Sequence, residues 1–325
     1  MSPGGETRIL VIKLSALGDV ILALSAIARI REAHPTAHIT WLTTAPYAEL
    51  AARCPYVDAV DADGRPRTWS GFLALVSRLR RARFERVYDL QNNDRTNLLF
   101  QLLRPRPPIW SGVAFGAQRP HRNPQRMRMH TLERQADQLR DAGIWPDAPI
   151  HPGSAAGPDL RWLAAMTPRL PAEIGETQRP LALIAPGAAP SRPAKRWPGP
   201  GFADIALRLA RSGYAPVLIG GLAEAAAARE IKAIAPMTID LTNRTDFAMV
   251  AALGARAALA VGNDTGPMHL IAAAGAPCVS LFSADSDPAL CAPRGRVRVL
   301  RESNLGQLSA ETVWAACRES LEIST

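Results

Sequence analysis

The chain has 325 residues, is 47% hydrophobic and carries 38 Lys and Arg against 29 Asp and Glu, a formal net charge of +9. Its four cysteines, Cys54, Cys278, Cys291 and Cys317, lie far apart with no C-x-x-C pair, which argues against a disulfide or zinc framework and for a reducing compartment. Lys13, Asp19 and Arg29 interrupt the first apolar stretch, and the one run without Asp, Glu, Lys or Arg as long as the ~18 residues of a span, Thr265–Ala284, reads as a helix and a strand parted at Gly275, so neither a signal peptide nor a membrane helix is expected and a cytoplasmic location is.

Strands are predicted at Arg8–Lys13, His38–Thr43, Val57–Val60, Arg86–Leu90 and Ile109–Val113, where short apolar runs end at turn residues. Between them, apolar spacing predicts helices from Val20 to Ile30, Pro46 to Arg53, Phe72 to Arg80 and Thr96 to Leu103. The pattern lapses from Phe115 to Met129, where Arg119, His121, Arg122, Arg126 and Arg128 accumulate, and a helix follows over His130–Ala142. Trp145–Arg179 is rich in Pro and Gly, with one turn of pattern at Leu160–Met166, and reads as the connection between domains.

The alternation then restarts. Strands are predicted at Leu181–Ala185, Pro216–Ile219, Met237–Leu241, from Ala257 to Val261, and at Pro277–Phe282 and Arg296–Leu300. Helices are predicted at Gly201–Arg211, Leu222–Ile234, Asp246–Leu253, Pro267–Ala274 and Ala310–Leu321. Two α/β halves of this kind make two Rossmann-like domains facing across a cleft, with ligands at strand carboxyl ends. The expected boundaries are residues 1–170 and 171–325, the last helix being a candidate to pack back on the first half.

Three strand-end loops carry candidate chemistry. In Lys13–Asp19 only Gly18 of a G-x-G-x-x-G fingerprint is present, which argues against a nicotinamide cofactor. Asp19 either stabilises the positive end of its helix or stands at the mouth of a cleft as a general base. The loop Pro186–Pro198 contains Lys195 and Arg196 but not the order of a P-loop, and reads as a phosphate-holding loop or as a solvated basic loop. In Gly262–Gly266, Asp264 and Thr265 are good N-cap residues and Pro267 suits the first turn. That helix start is either an ordinary cap or an anion site, with His269 in reach of a phosphate there or packed in the core. Asp61-Ala62-Asp63 and Asp285-Ser286-Asp287 are too short to count as metal motifs.

Together, IKLSALGDVILALSAI, DLQ with Arg95, PGA with KRWP, and GNDTGPMHLIAAAGAP resemble, in wording and order, the ADP-heptose-using lipopolysaccharide heptosyltransferases, bacterial glycosyltransferases of family 9. The resemblance spans most of the chain and implies the glycosyltransferase B fold. It implies Asp19 as catalytic base, with Lys195, Asp264, Thr265, Gly266 and His269 at the donor diphosphate. Glu224 is the nearest match to the glutamate that touches the nucleoside. It implies an inverting transfer that requires no metal or cofactor. The implied acceptor is the anionic inner core of lipopolysaccharide at the cytoplasmic membrane face. Arg65, Arg67, Arg119 and Arg122 in the first half are candidates to hold it, and their charge suits peripheral attachment to the inner membrane. Nucleic acid is not expected, since no binding motif or aromatic platform accompanies the bases. A related transferase with another nucleotide sugar or acceptor, and a non-catalytic nucleotide-sugar-binding protein, are the alternatives.

Overall fold

The computed structural model describes residues 7–146, 148–166, 170–188 and 191–322, and the chain divides into two units, Met1–Ala156 and Gly157–Thr325. The first contains β1 (Arg8–Ile12), α1 (Leu17–Ala33), β2 (His38–Leu42), α2 (Ala48–Ala52), β3 (Ala59–Asp61), α3 (Trp69–Ala82), β4 (Arg86–Asp89), α4 (Asp94–Leu102), β5 (Ile109–Gly112), β6 (Arg119–Pro120) and α5 (Thr131–Asp141). Its strands are all parallel, in the order β3-β2-β1-β4-β5-β6. Ile9 to Ile12 are fully buried, as expected of a central strand covered on both faces. Helix α1 buries eight apolar side chains and packs against α5, while Phe72, Leu75 and Leu79 of α3 meet Leu99 and Phe100 of α4 in a second core layer.

The second unit contains α6 (Arg161–Ala164), α7 (Ala172–Glu176), β7 (Leu181–Ala185), α8 (Gly199–Arg211), β8 (Ala215–Leu218), α9 (Ala225–Ile234), β9 (Ile239–Asp240), α10 (Phe247–Arg256), β10 (Ala257–Asn263), α11 (Gly266–Ala273), β11 (Cys278–Phe282), α12 (Pro288–Cys291), β12 (Val297–Arg301) and α13 (Ala310–Glu322). Its parallel sheet runs β12-β11-β10-β7-β8-β9. Numbered within each unit, the two sheets have the same order, 3-2-1-4-5-6. Close packing at the centre of the second sheet depends on Gly262, where an added Cβ would lie 2.6 Å from the Ala185 carbonyl oxygen and 2.8 Å from the Met268 sulfur.

Three local differences from expectation have physical causes. Helix α3 begins at Trp69, three residues early, because the Thr68 hydroxyl caps it by accepting the Gly71 N–H at 3.1 Å. Strand β6 lies in the stretch expected to be patternless; it is two residues long and contains Pro120, which an edge strand tolerates. The expected boundary at 170/171 falls inside the second unit, since Leu160 and Leu163 are buried, the Leu160 N–H donates to the Ala273 carbonyl, and α6 packs on α10. The terminal helix α13 packs within its own unit on α8, β10 and β11, through Val313, Ala316 and Cys317. No disulfide joins the described cysteines, and burial pushes the thiols of Cys54, Cys278 and Cys317 up to about 12.

Candidate functional site

Each sheet reverses its strand order at the middle, between β1 and β4 in the first unit and between β7 and β10 in the second. Loops leaving the carboxyl ends of such a strand pair diverge and leave a crevice, the general ligand position in open α/β sheets. The candidate loops fall there. The Asp19 turn follows β1, Leu90–Asn93 follows β4, the Pro186–Pro198 loop follows β7, and Asp264–Gly266 follows β10.

In the second unit the fold brings residues from three loops together. Lys195, in a 3₁₀ turn over Pro193–Lys195, places Nζ 2.5 Å from Oδ2 of Asp264; their side chains are 16% and 7% exposed. Asp264 leads into α11, whose N-cap is Thr265 in extended conformation. The Thr265 hydroxyl makes no capping bond, contrary to the cap expectation, and the helix opens with Gly266 and Pro267. First-turn N–H groups have no partner within a helix, so this start carries donors and the positive end of the helix dipole beside the Lys195 ammonium. His269, one turn in, is buried at 5% exposure.

Asn263, which carries no motif signal of its own, ties these loops together. Fully buried, it accepts the Trp197 N–H at 3.0 Å and donates to the carbonyls of Pro186 at 2.7 Å and Gly187 at 3.3 Å. The Trp197 indole donates to the Leu308 carbonyl at 2.9 Å and meets Phe202 edge-on, fixing the far end of the Lys195 loop. Glu224 joins the group: its carboxylate accepts the Gly221 N–H at 2.7 Å and lies so close over Gly187 that a Cβ there would be 2.6 Å from it. Ala189 and Pro190 of the loop lie outside the described residues.

Asp19 is the third residue of α1 and half-buried. Its carboxylate receives the Ala16 N–H at 3.4 Å, a long bond that leaves most of its acceptor capacity open. The turn before it is held from the loop after β4: the Gln91 side-chain oxygen accepts the N–H of Leu14 at 2.8 Å and of Ser15 at 3.3 Å. Lys13, 4% exposed, donates to the Leu90 carbonyl at 3.4 Å. Burial holds its ammonium below the usual lysine range, while Asp19 and Asp89 act in the opposite direction. Burial, and next the Asp19 charge, raises the Tyr47 phenol. Asp89 is fully buried and pushed up to about 6 by desolvation, although it accepts the N–H groups of Gln91 and Asn92. Gln91, Lys13 and Tyr47 were not singled out from sequence; the DLQ motif was the available signal for Gln91.

The four arginines do not form one continuous patch by position. All are exposed, but Arg65 and Arg67 follow edge strand β3, whereas Arg119 lies in β6 at the opposite edge and Arg122 follows it. His121, counted with the basic stretch, is buried and holds Asp137 at 2.9 Å. Trp69, 60% exposed, borders a pocket of about 340 Å³ with Arg67, Arg95 and the buried Phe72. The two acidic doublets have structural employment. Arg78 forks onto Asp61 at 2.8 and 3.0 Å, and Asp287 caps α12. Among the described residues no group of three or more His, Cys, Asp or Glu is placed to hold a metal ion, and no helix is long and apolar enough to cross a membrane.

Two six-stranded parallel sheets of this order, with polar loops at both reversals, have the architecture of the glycosyltransferase B fold. Residues 72–311 match Glycosyltransferase family 9 (heptosyltransferase), and the chain belongs to that family. The match does not extend to Asp19. The chain is similar to lipopolysaccharide heptosyltransferase 2 of Salmonella typhimurium, 28% identical over 310 residues and covering 90% of this chain and 88% of the relative. In fold it is similar to the E. coli ADP-heptose lps heptosyltransferase II structure, at TM-score 0.79, 24% identity, and 98% and 99% coverage of the two chains. The E. coli heptosyltransferase WaaC structure with ADP superposes at TM-score 0.74, with 21% identity over 97% of this chain and 100% of that one.

Proposed function

We propose that this protein transfers heptose from ADP-heptose to an acceptor in the inner core of lipopolysaccharide, with inversion and without a metal ion. The carrying observation is the Lys195–Asp264 pair at the start of α11, which sets a cation and open backbone donors at the reversal of the second sheet. Membership of family 9 and the names of the relatives support heptose as the sugar and lipopolysaccharide as the acceptor.

In this reading Asp19 takes the proton from an acceptor hydroxyl as its oxygen bonds to the anomeric carbon. The bond from that carbon to the diphosphate breaks on the opposite face, and the electron pair leaves with ADP. Charge grows on the leaving diphosphate, where Lys195 and the N–H groups at Thr265 and Gly266 stabilise it as it forms. Asp264 orients Lys195, His269 lies one turn further into the helix, and Glu224 serves the nucleoside end beside Gly187. These charges are the reason to expect turnover in EDTA equal to turnover without it. The charge of Arg65 and Arg67 at one edge of the first sheet, and separately that of Arg119 and Arg122 at the other, would draw in an acidic acceptor, with no role for nucleic acid.

The deciding experiment is Asp19→Ala, assayed for ADP release with a lipopolysaccharide core acceptor and separately for ADP-heptose affinity. Turnover should fall about 10²–10⁴-fold with donor affinity unchanged. Full turnover in the variant would remove Asp19 as the base. Donor binding by wild type without transfer to any core acceptor would leave a nucleotide-sugar-binding protein, and preference for another sugar nucleotide would reassign the donor.

A further inference from the structure

We propose that an arginine-rimmed cavity at the amino-terminal edge of the first sheet binds the phosphate of an anionic phospholipid headgroup. The cavity, of about 650 Å³, lies between the C-terminal ends of α3 and α4. Arg80, Arg83, Arg104 and Arg106 line it, and among the described residues no acidic side chain does. Its wall and floor are apolar, from Leu79 and Leu103 with Leu10 and Val87 beneath. Arg83 precedes β4 and Arg104 and Arg106 precede β5, so the cavity opens at the edge opposite the turns assigned to sugar transfer.

The carbonyls at a helix C-terminus repel anions, and here that repulsion is covered. Arg80 donates to the carbonyl of Leu102, and to that of Arg104 at 3.2 Å. Arg104 lies over the Phe100 ring, 5.7 Å from its centroid, and Arg8 over Phe84 at 5.8 Å adds a further cation nearby. Arg83 and Arg106 are exposed and form no ion pair among the described residues. Arg83 closes α3 in the left-handed region, at φ +51°, where glycine or asparagine is favoured, so a charge is kept at the rim at a backbone cost. Guanidinium pairs grip phosphate oxygens in two-pronged fashion, and an apolar floor beneath them suits the glycerol and first acyl carbons of a lipid better than a free ion.

The test is co-sedimentation of the full chain with vesicles of phosphatidylcholine alone or mixed with phosphatidylglycerol. Wild type should partition to the mixed vesicles and not to the neutral ones. An Arg83→Gln/Arg106→Gln double variant, with unchanged thermal melting, should lose about thirtyfold in partition, the effect of removing two bases from an anionic surface. Arg211→Gln/Arg318→Gln, exposed in the second unit and equal in net charge, should change it less than about twofold. Equal losses in the two pairs would overturn the site. So would loss confined to Arg65→Gln/Arg67→Gln, or saturable binding of inorganic phosphate with no preference for phosphatidylglycerol. None of these readouts involves sugar transfer, so the result stands whether or not Asp19 is the base.

Discussion

Asn263 binds the backbone of Trp197 through its side-chain oxygen and the carbonyl of Pro186 through its side-chain nitrogen, so one buried carboxamide spans both ends of the loop that carries Lys195. Asn263→Ala leaves a buried N–H and a buried carbonyl unpaired, a loss of about 2–3 kcal/mol. Urea unfolding should register that loss. The KM for the sugar nucleotide should rise more than kcat falls, because the loop is misplaced while Asp19 is untouched.

Lys195 and Asp264 should behave as a coupled pair. Lys195→Met leaves the Asp264 carboxylate without its cation, which costs about 2–3 kcal/mol, somewhat under the usual figure because Lys195 keeps some contact with solvent. Adding Asp264→Asn should recover most of that stability. Donor affinity should not recover, staying about 10–100-fold below wild type, since the charge proposed to meet the diphosphate is gone. Calorimetric melting beside donor titration separates the two effects.

Gly187 tests the placement of Glu224. A methyl group at Gly187 would lie 2.6 Å from the Glu224 carboxyl, so Gly187→Ala must push that side chain aside. Donor affinity should fall about fivefold, the value of one hydrogen bond. In a Glu224→Ala background the same substitution should have no further effect, which a double-mutant cycle reads directly.

Gly262→Ala tests the packing beneath the donor loops. Its Cβ would meet a backbone oxygen of β7 at 2.6 Å, and backbone cannot rotate away. The expected loss is about 2–3 kcal/mol from overpacking, seen as a lower melting temperature even without ligand.

Asp89 gives a pH signature. Its carboxyl titrates near 3.8 in the unfolded chain and at about 6 in the folded one. Between those values the folded state holds the proton more tightly, so this group's contribution is greatest below the lower value and is lost as pH rises through the upper one. Asp58 and Asp137, held below the usual carboxylate range, act in the opposite sense, so a wild-type curve alone will not isolate Asp89. The difference in unfolding free energy between wild type and Asp89→Asn should slope between about pH 4 and 6 and be flat above.

Much of the fold was legible because parallel strands buried on both faces read as unbroken apolar runs; Leu181–Ala185 was placed to the residue. The edge elements were not, since β6 is two residues long with a proline and α3 starts with Trp-Ser-Gly, where no apolar period shows. At the site, Asp19, Lys195 and the Asp264–Gly266 turn stood out because polar residues follow apolar strands. Asn263 did not: an asparagine before Asp-Thr-Gly reads as more of the same loop, and only the path of the chain shows it reaching Pro186, 77 residues away. The separation of Arg65 from Arg119 was hidden for a related reason, since position along the chain does not give position across a sheet whose order is 3-2-1-4-5-6.

The shared strand order also bears on how such a protein can diversify. Loops after β1 and β4 hang from one buried strand pair and loops after β7 and β10 from another, so insertions or substitutions in the first set leave the strands that carry the second unchanged. A descendant can therefore change what the first unit meets by rewriting the ends of β1 and β4 while inheriting the Lys195–Asp264 pair intact, and the reverse exchange is equally open.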